Sequence, residues 1–199
     1  MGKLFVVVGP NDHGKRMSLD EFDQAETIPG HLYELSRGVI SVSDVPKKKH
    51  LAQVNALRRI LAAYDLANTG RIHTIASGSD CKLLLWDLQS ERHPDVALYK
   101  TPPPDDEDIW STWIPELVIE VVSPGSETRD YDQKPDEYLA FGVMEYWIID
   151  AAKEEVLAMR RSGGKWAKRV LKAGDKYKTR LLPDFEFDVA AVFAAARSA

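Results

Sequence analysis

Glu120 stands inside Leu117-Val-Ile-Glu-Val-Val122, a run that is apolar on both faces. Such a run reads as a central strand covered on both sides. A lone carboxylate there is costly to bury unless it is protonated, paired or bound to a metal. A paired core glutamate, or a strand end open to solvent, also fits the pattern. Asp95 follows His93-Pro94 at the start of a second strand pattern. Acids at strand starts commonly cap turns, so Asp95 alone says little. Neighbouring strands would bring the two acids together, and two carboxylates at one spot repel unless a hard divalent cation removes the repulsion. Lys134 is the third residue. Pro135 belongs in the first turn of a helix, which puts the N-cap at Asp132 and Lys134 at the positive end of the helix dipole. That is the unfavourable end for a cation. Asp136 and Glu137 could balance it in solvent; only the company of Asp95 and Glu120 singles it out.

Other chemistries find little support. Gly9-Pro-Asn-Asp-His-Gly14-Lys15 imitates a phosphate-binding loop after a strand, but Arg16 stands where Ser or Thr should hold magnesium. The five histidines, His13, His31, His50, His73 and His93, have no zinc-ligand spacing. Ser123 is not in a nucleophile elbow. One cysteine, Cys81, excludes a disulfide framework and a cysteine zinc site.

These residues need a scaffold, and the composition supplies one. With 199 residues, 44% hydrophobic and 29% charged, the chain reads as one globular domain over residues 1–199. The formal net charge of −5 argues against coating nucleic acid through bulk charge, though not against a local contact. Charge is uneven: Lys153 to Arg180 holds ten Lys or Arg against three acids, and Asp105 to Asp108 is wholly acidic. The longest apolar run, Val189 to Ala196, is far short of the ~18 residues of a membrane span. Leu4 to Val8 is too short for a signal-peptide core. The expectation is a soluble, cytoplasmic protein without a membrane partner.

The pattern of elements is α+β. Lys3–Val8 reads as a strand, and Ser18-Leu-Asp-Glu21 is a capping box that opens a short helix. His31–Ser36 and Val39–Ser43 form a hairpin over Arg37-Gly38. A helix over His50–Leu66 has its apolar stripe on Leu51, Val54, Leu57, Leu61 and Tyr64. Strands follow at Arg71–Ser77, Lys82–Leu88, Asp95–Lys100 and Glu116–Ser123. A helix over Gln133–Phe141 ends at Gly142, a suitable residue just past a helix end. Glu145–Asp150 is a strong strand. Glu155–Arg160 and Trp166–Leu171 form a hairpin over Gly163-Gly164, a last strand lies near Tyr177–Leu182, and Asp188 caps a terminal helix.

Several of these stretches match a known pattern. Pro115-Glu-Leu-Val-Ile-Glu120-Val-Val-Ser-Pro124, then Arg129-Asp130 with Lys134 beyond it, Tyr138, Gly142-Val143 and Glu145-Tyr-Trp-Ile-Ile-Asp150 resemble the Uma-two family. Pro94-Asp95-Val96, Tyr33-Glu34-Leu35, Met17–Phe22 and Leu182-Pro183 with Phe185 extend the resemblance from about Met17 to Phe193. The family belongs to the restriction-endonuclease-like PD-(D/E)XK superfamily. The resemblance implies an αβββαβ core, a mixed central β-sheet flanked by helices, with an added N-terminal hairpin and a C-terminal β-hairpin. It also implies an active site of Asp95, Glu120 and a lysine. The position two after Glu120 is Val122, so Lys134 stands in for the superfamily lysine. His50–Leu66 contains no Glu, and Glu34 is the candidate substitute.

By the same resemblance the protein is a metal-dependent endonuclease of DNA. Asp95, Glu120 and the Val121 carbonyl would hold Mg2+ or Mn2+. Lys134 would orient the nucleophile or stabilise developing charge, and the products would carry a 5′-phosphate and a 3′-hydroxyl. Arg160, Arg161, Lys165, Lys168 and Arg169 are candidate nucleic-acid backbone contacts, and a homodimer would cut both strands. The alternatives are a non-catalytic binding or scaffold protein on a nuclease fold, and a hydrolase of small phosphate esters.

Overall fold

The computed structural model describes residues 6–198. Of the expected first strand, the part over residues 3–5 lies outside the described residues. In chain order the elements are β1 (Val7–Val8), α1 (Leu19–Asp23), β2 (Glu26–Thr27), β3 (His31–Ser36), β4 (Val39–Asp44), α2 (Lys48–Ala67), β5 (Thr74–Ala76), β6 (Leu83–Leu85) and β7 (Ser90–Arg92). There follow β8 (Val96–Tyr99), α3 (Ile109–Thr112), β9 (Leu117–Val121), α4 (Lys134–Phe141), β10 (Glu145–Asp150), β11 (Glu155–Ser162), β12 (Lys165–Lys172), β13 (Lys176–Lys178), β14 (Glu186–Asp188) and α5 (Val189–Arg197).

The centre is a six-stranded mixed sheet in the order β12-β11-β10-β9-β8-β5. β9 and β10 run parallel, and the other neighbours are antiparallel. α4 lies in the crossover between the parallel pair, as such a pair requires. Alternation along β9 decides both faces. Leu117, Ile119 and Val121 pack with Leu57 and Leu61 of α2 and Val192 and Phe193 of α5. Val118, on the other face, joins Tyr138, Tyr146, Ile148 and Met159 with Leu83 and Leu85. Each buried Leu or Ile contributes roughly 1.5–3 kcal/mol of transfer free energy. A second sheet, β4-β3-β7-β6, supplies Leu83 and Leu85. Its β3–β4 hairpin turns over Arg37 and Gly38, both at positive φ.

The structure amends several sequence expectations. The helix with Pro135 does not start at Asp132. Helix begins directly after Ser126, whose carbonyl accepts from Asp130 N at 3.0 Å, and a π turn occupies Arg129–Gln133. Lys134 N therefore donates to Arg129 O, five residues back. Proline lacks an N–H and crowds the carbonyl four residues before it, and the wider π turn makes room. Lys134 is thus two turns inside a helix rather than at its positive end. Leu51 is exposed, and Gln53 is buried in its place on α2. β7 and β14 were not visible as strands, because three-residue strands carry too little pattern. The stretch over Gly9 to Lys15 holds no open phosphate cradle: Asp12 accepts from Gly9 N and pairs with Lys15, both at 2.7 Å. No helix of the described residues is long and apolar enough to cross a membrane.

α4 ends at Gly142 with φ 113°, and a Cβ there would lie 3.1 Å from Ile114 Cδ1. Gly142→Ala combines left-handed strain with that contact and should cost about 1–2 kcal/mol. Urea denaturation checks this; an unchanged midpoint would contradict it.

Candidate active site

Val96 pairs with Ile119 and Ala97 with Val118, so the register carried one step further sets Asp95 opposite Glu120 on one face of the sheet. Asp95 Oδ2 accepts from Val121 N at 2.7 Å and lies 3.0 Å from His50 Nε2, at the start of α2. Glu120 Oε1 accepts from the Tyr138 hydroxyl at 2.6 Å and lies 2.9 Å from Lys134 Nζ. Lys134 Nζ is also 3.3 Å from Asp130 Oδ1 and 3.7 Å from Glu34 Oε1. One buried ammonium therefore serves three carboxylates from β3, β9 and the π turn.

A further layer holds this arrangement. Arg92, fully buried on β7, donates to Glu137 Oε2 at 2.7 Å, to Glu34 Oε2 at 3.2 Å and to Ser36 Oγ at 2.7 Å. His93 N donates to Glu34 Oε1 at 3.2 Å. Burial alone would raise Glu34, but the charges of Lys134, Arg92 and Arg129 outweigh it and hold the carboxyl at about 2. Glu120 goes the other way. Burial first, then Asp95, Asp130 and Glu34, push it up to about 8 against the pull of Lys134. Burial opposes the charge on Lys134, yet the carboxylates around it raise its affinity for the proton, so it stays an ammonium.

Glu34, Asp95, Glu120, Asp130 and Lys134 line an open cleft of about 1870 Å³, with Arg92, Glu137 and Tyr138 behind them. Six buried side-chain polar atoms among the described residues lack a hydrogen-bond partner. Five of them belong to residues lining the cleft: His31 Nδ1, His50 Nδ1, Gln53 Nε2, Glu91 Oε2 and Arg129 Nε. Buried polar groups are normally paired with protein or ordered water, so these five offer donors and acceptors that water or a polar ligand in the cleft can meet.

Among the described residues no three His, Cys, Asp or Glu side chains are grouped to hold a metal by themselves. What the site offers is two adjacent carboxylates, with Asp95 Oδ1 and Glu120 Oε2 taking no hydrogen bond among the described residues. Two carboxylates suit a hard ion that keeps most of its waters. The raised Glu120 is a carboxylate short of positive charge, which such an ion would supply.

Glu34, Asp95, Glu120, Val121 and Lys134 all line one cleft. Arg160, Arg161, Lys165, Lys168 and Arg169 do not. They lie on β11 and β12, at the sheet edge opposite β5, with β12 three strand spacings (roughly 14 Å) from β9. Arg161 spends its guanidinium on the Val143 and Leu139 carbonyls. Sequence reasoning overlooked Asp130, Tyr138, His50 and Arg92 as site residues. Ser126, Asp130, Lys134 and Tyr138 recur at every fourth position and are all buried, and that spacing was the available signal for two of them. His50 and Arg92 had none, because tertiary packing alone brings them in.

A family model described as "Putative restriction endonuclease", Uma2, matches residues 19–190. The chain belongs to the Uma2 family. The expected fold follows with it. A solved structure titled a "putative nuclease belonging to DUF820" from Anabaena variabilis superposes with a TM-score of 0.74 at 17% identity, covering 90% of this chain and 99% of that one. No curated protein matches the sequence. The Uma2 match starts at α1 and ends within α5, so it includes Glu34, Asp95, Glu120 and Lys134, while Pro10, His13 and Gly14 of the cleft wall precede it.

Removing Arg92 takes the 2.7 Å partner from buried Glu137 and leaves it only the longer 3.8 Å contact with Arg37, so Arg92→Ala should cost roughly 3–5 kcal/mol. Arg197→Ala, which breaks an exposed pair with Glu154, should change stability by less than about 0.5 kcal/mol. Denaturant titration of both variants checks the contrast. Glu34 is lowered from 4.5 to about 2 in the fold, so its contribution is complete above pH 4.5 and fades as pH falls toward 2. Glu34→Gln should flatten the stability curve in that window; an unchanged acid limb would contradict the ion-pair account.

Proposed function

We propose that the protein is a metal-dependent endonuclease that hydrolyses DNA phosphodiester bonds. The observation that supports this most is the pairing of Asp95 with Glu120 across β8 and β9, with Lys134 Nζ 2.9 Å from Glu120, on the floor of an open cleft. Family membership points the same way. Asp95, Glu120 and the Val121 carbonyl would hold Mg2+ or Mn2+, which when bound supplies an activated water and neutralises phosphoryl charge.

The chain's own residues do the rest. Val121 N fixes one oxygen of Asp95, and Tyr138 fixes one oxygen of Glu120, so the free oxygens are held in place rather than sampled. Lys134 stays positively charged because three carboxylates surround it. Its ammonium can orient a water for attack or meet the negative charge that grows on a phosphoryl oxygen. Glu34 and Asp130 hold that ammonium on the cleft floor. Metal binding requires Glu120 ionised, and a group raised to about 8 would release its proton on binding. Cys81 is free and buried, in keeping with a reducing cytoplasmic setting, and a homodimer would bring two sites to the two strands.

A binding protein on the same fold is the second reading. The observation that favours it is that Lys134 is already engaged by three carboxylates while no three-residue metal group is present among the described residues.

Supercoiled plasmid with Mg2+ or Mn2+ separates the two. Glu120→Gln and Lys134→Ala should each lower the nicking rate roughly 10²-fold or more. Equal nicking by all three proteins would identify a contaminant and end the nuclease reading. Independently of activity, Mn2+ at a hundred times its Kd should add about 2.7 kcal/mol of stability, seen as a rise in Tm that Asp95→Asn abolishes.

A further inference from the structure

The start of α2 breaks two local rules at once. Lys47, its N-cap, offers no side-chain hydrogen bond, and the first turn contains no acid. Instead Lys47, Lys48 and Lys49 follow one another at the positive end of the helix dipole, where cations are disfavoured. All three are exposed, line the cleft and make no ion pair among the described residues. Of the other cations lining the cleft, Lys134 is held by its carboxylates, Arg37 lies 3.8 Å from Glu137, and Arg129 gives Nη1 to Ser41 while its Nε stays unpaired.

A second and independent feature lies on the same face of the helix as Lys49. Gln53 is 2% exposed and lines the cleft, yet its Nε2 has no acceptor. Residues four apart on a helix lie one above the other, so Gln53 sits one turn below Lys49. An apolar residue would pack there without loss, since an unpaired buried amide is costly. Free helix N–H groups, three unpaired ammonium groups and an unsatisfied amide converge on one kind of ligand, an anion with several acceptor oxygens. His50, in the same turn, fixes the location: its Nε2 is 3.0 Å from Asp95.

We propose that the first turn of α2, Lys47 to His50 with the Gln53 amide beneath it, holds a phosphodiester group of the DNA strand adjacent to the one facing Asp95 and Glu120. This deepens the nuclease reading and rests on it. It also resolves a conflict of charge. A chain of net charge −5 whose cleft floor is rich in carboxylates repels DNA, and a local cationic turn beside those carboxylates overcomes the repulsion where the strand must enter. The basic strand β12 cannot serve that purpose at the cleft, since none of its residues lines it.

The test is binding of a fluorescent DNA duplex by anisotropy, without metal, in a Glu120→Gln background, with plasmid nicking run in parallel on otherwise unaltered protein. Replacing Lys47, Lys48 and Lys49 by Ala should weaken binding at least tenfold at low salt. It should also reduce the slope of log K against log salt by about 0.9, the value for one phosphate that is no longer neutralised. Gln53→Leu gives the readout that a structural role would not move. It should keep or raise Tm, because an unsatisfied buried group is gone, while weakening DNA binding several-fold. If the triple variant and Gln53→Leu bind with unchanged affinity and salt slope while unaltered protein still nicks plasmid, the inference is overturned and the nuclease reading stands. If unaltered protein neither binds nor nicks DNA, both fall.

Discussion

The cleft depends on keeping one ammonium buried among carboxylates that outnumber it. Lys134 is 4% exposed and faces Glu120, Asp130 and Glu34. Burying charge is unfavourable unless each ion is paired and hydrogen-bonded, and removing one partner leaves the others stranded. The neighbourhood is accordingly over-connected. Arg92 ties Glu34 to Glu137, Tyr138 fixes Glu120, and Ser126 Oγ donates to Asp130 at 2.6 Å. The result is a pre-set constellation whose remaining imbalance is negative. Glu34 is held ionised and Glu120 is pushed toward its neutral form, two carboxylates separated by environment alone.

The backbone devices serve that constellation. Antiparallel pairing of β8 with β9 sets Asp95 against Glu120. The β3–β4 hairpin carries Glu34 over the same spot, and β7 carries Arg92 beneath it. The π turn is the least regular device. It accommodates Pro135 and sets the phase of the helix so that Asp130, Lys134, Glu137 and Tyr138 are all buried. Without the extra residue in that turn the positions on either side would be rotated by about 100° relative to one another, at 3.6 residues per turn. The charged face and the apolar face could not then both meet the sheet. Local irregularity at a site of function is common for this kind of turn.

Much of the scaffold was legible because its signals are local. The capping box at Ser18 and Glu21, the Arg37-Gly38 hairpin, the Gly142 helix end and the Asp188 cap are each settled by a few adjacent residues, and the structure has them where expected. Leu51 and Gln53 show the limit. Periodicity put Leu51 on the buried stripe, yet the helix is turned so that Gln53 faces inward and Leu51 outward. Helix orientation is chosen by what packs against it, and at the cleft end of α2 the neighbour is Asp95 rather than an apolar face.

By itself the sequence determined the chemistry types and the strand and helix that present them: an acid in an apolar strand, another at a strand start, a lysine in the next helix. Those follow from residue type and short-range period. Only the tertiary structure decided their company. Lys134 became a buried counter-ion because the π turn drew it into the helix interior, and His50, Arg92 and Glu34 arrived from segments far away in the chain. No local rule encodes such meetings. They arise when the two larger sheets and the helices packed on them bury their apolar faces together, and the polar groups trapped at the seam must find partners or a ligand.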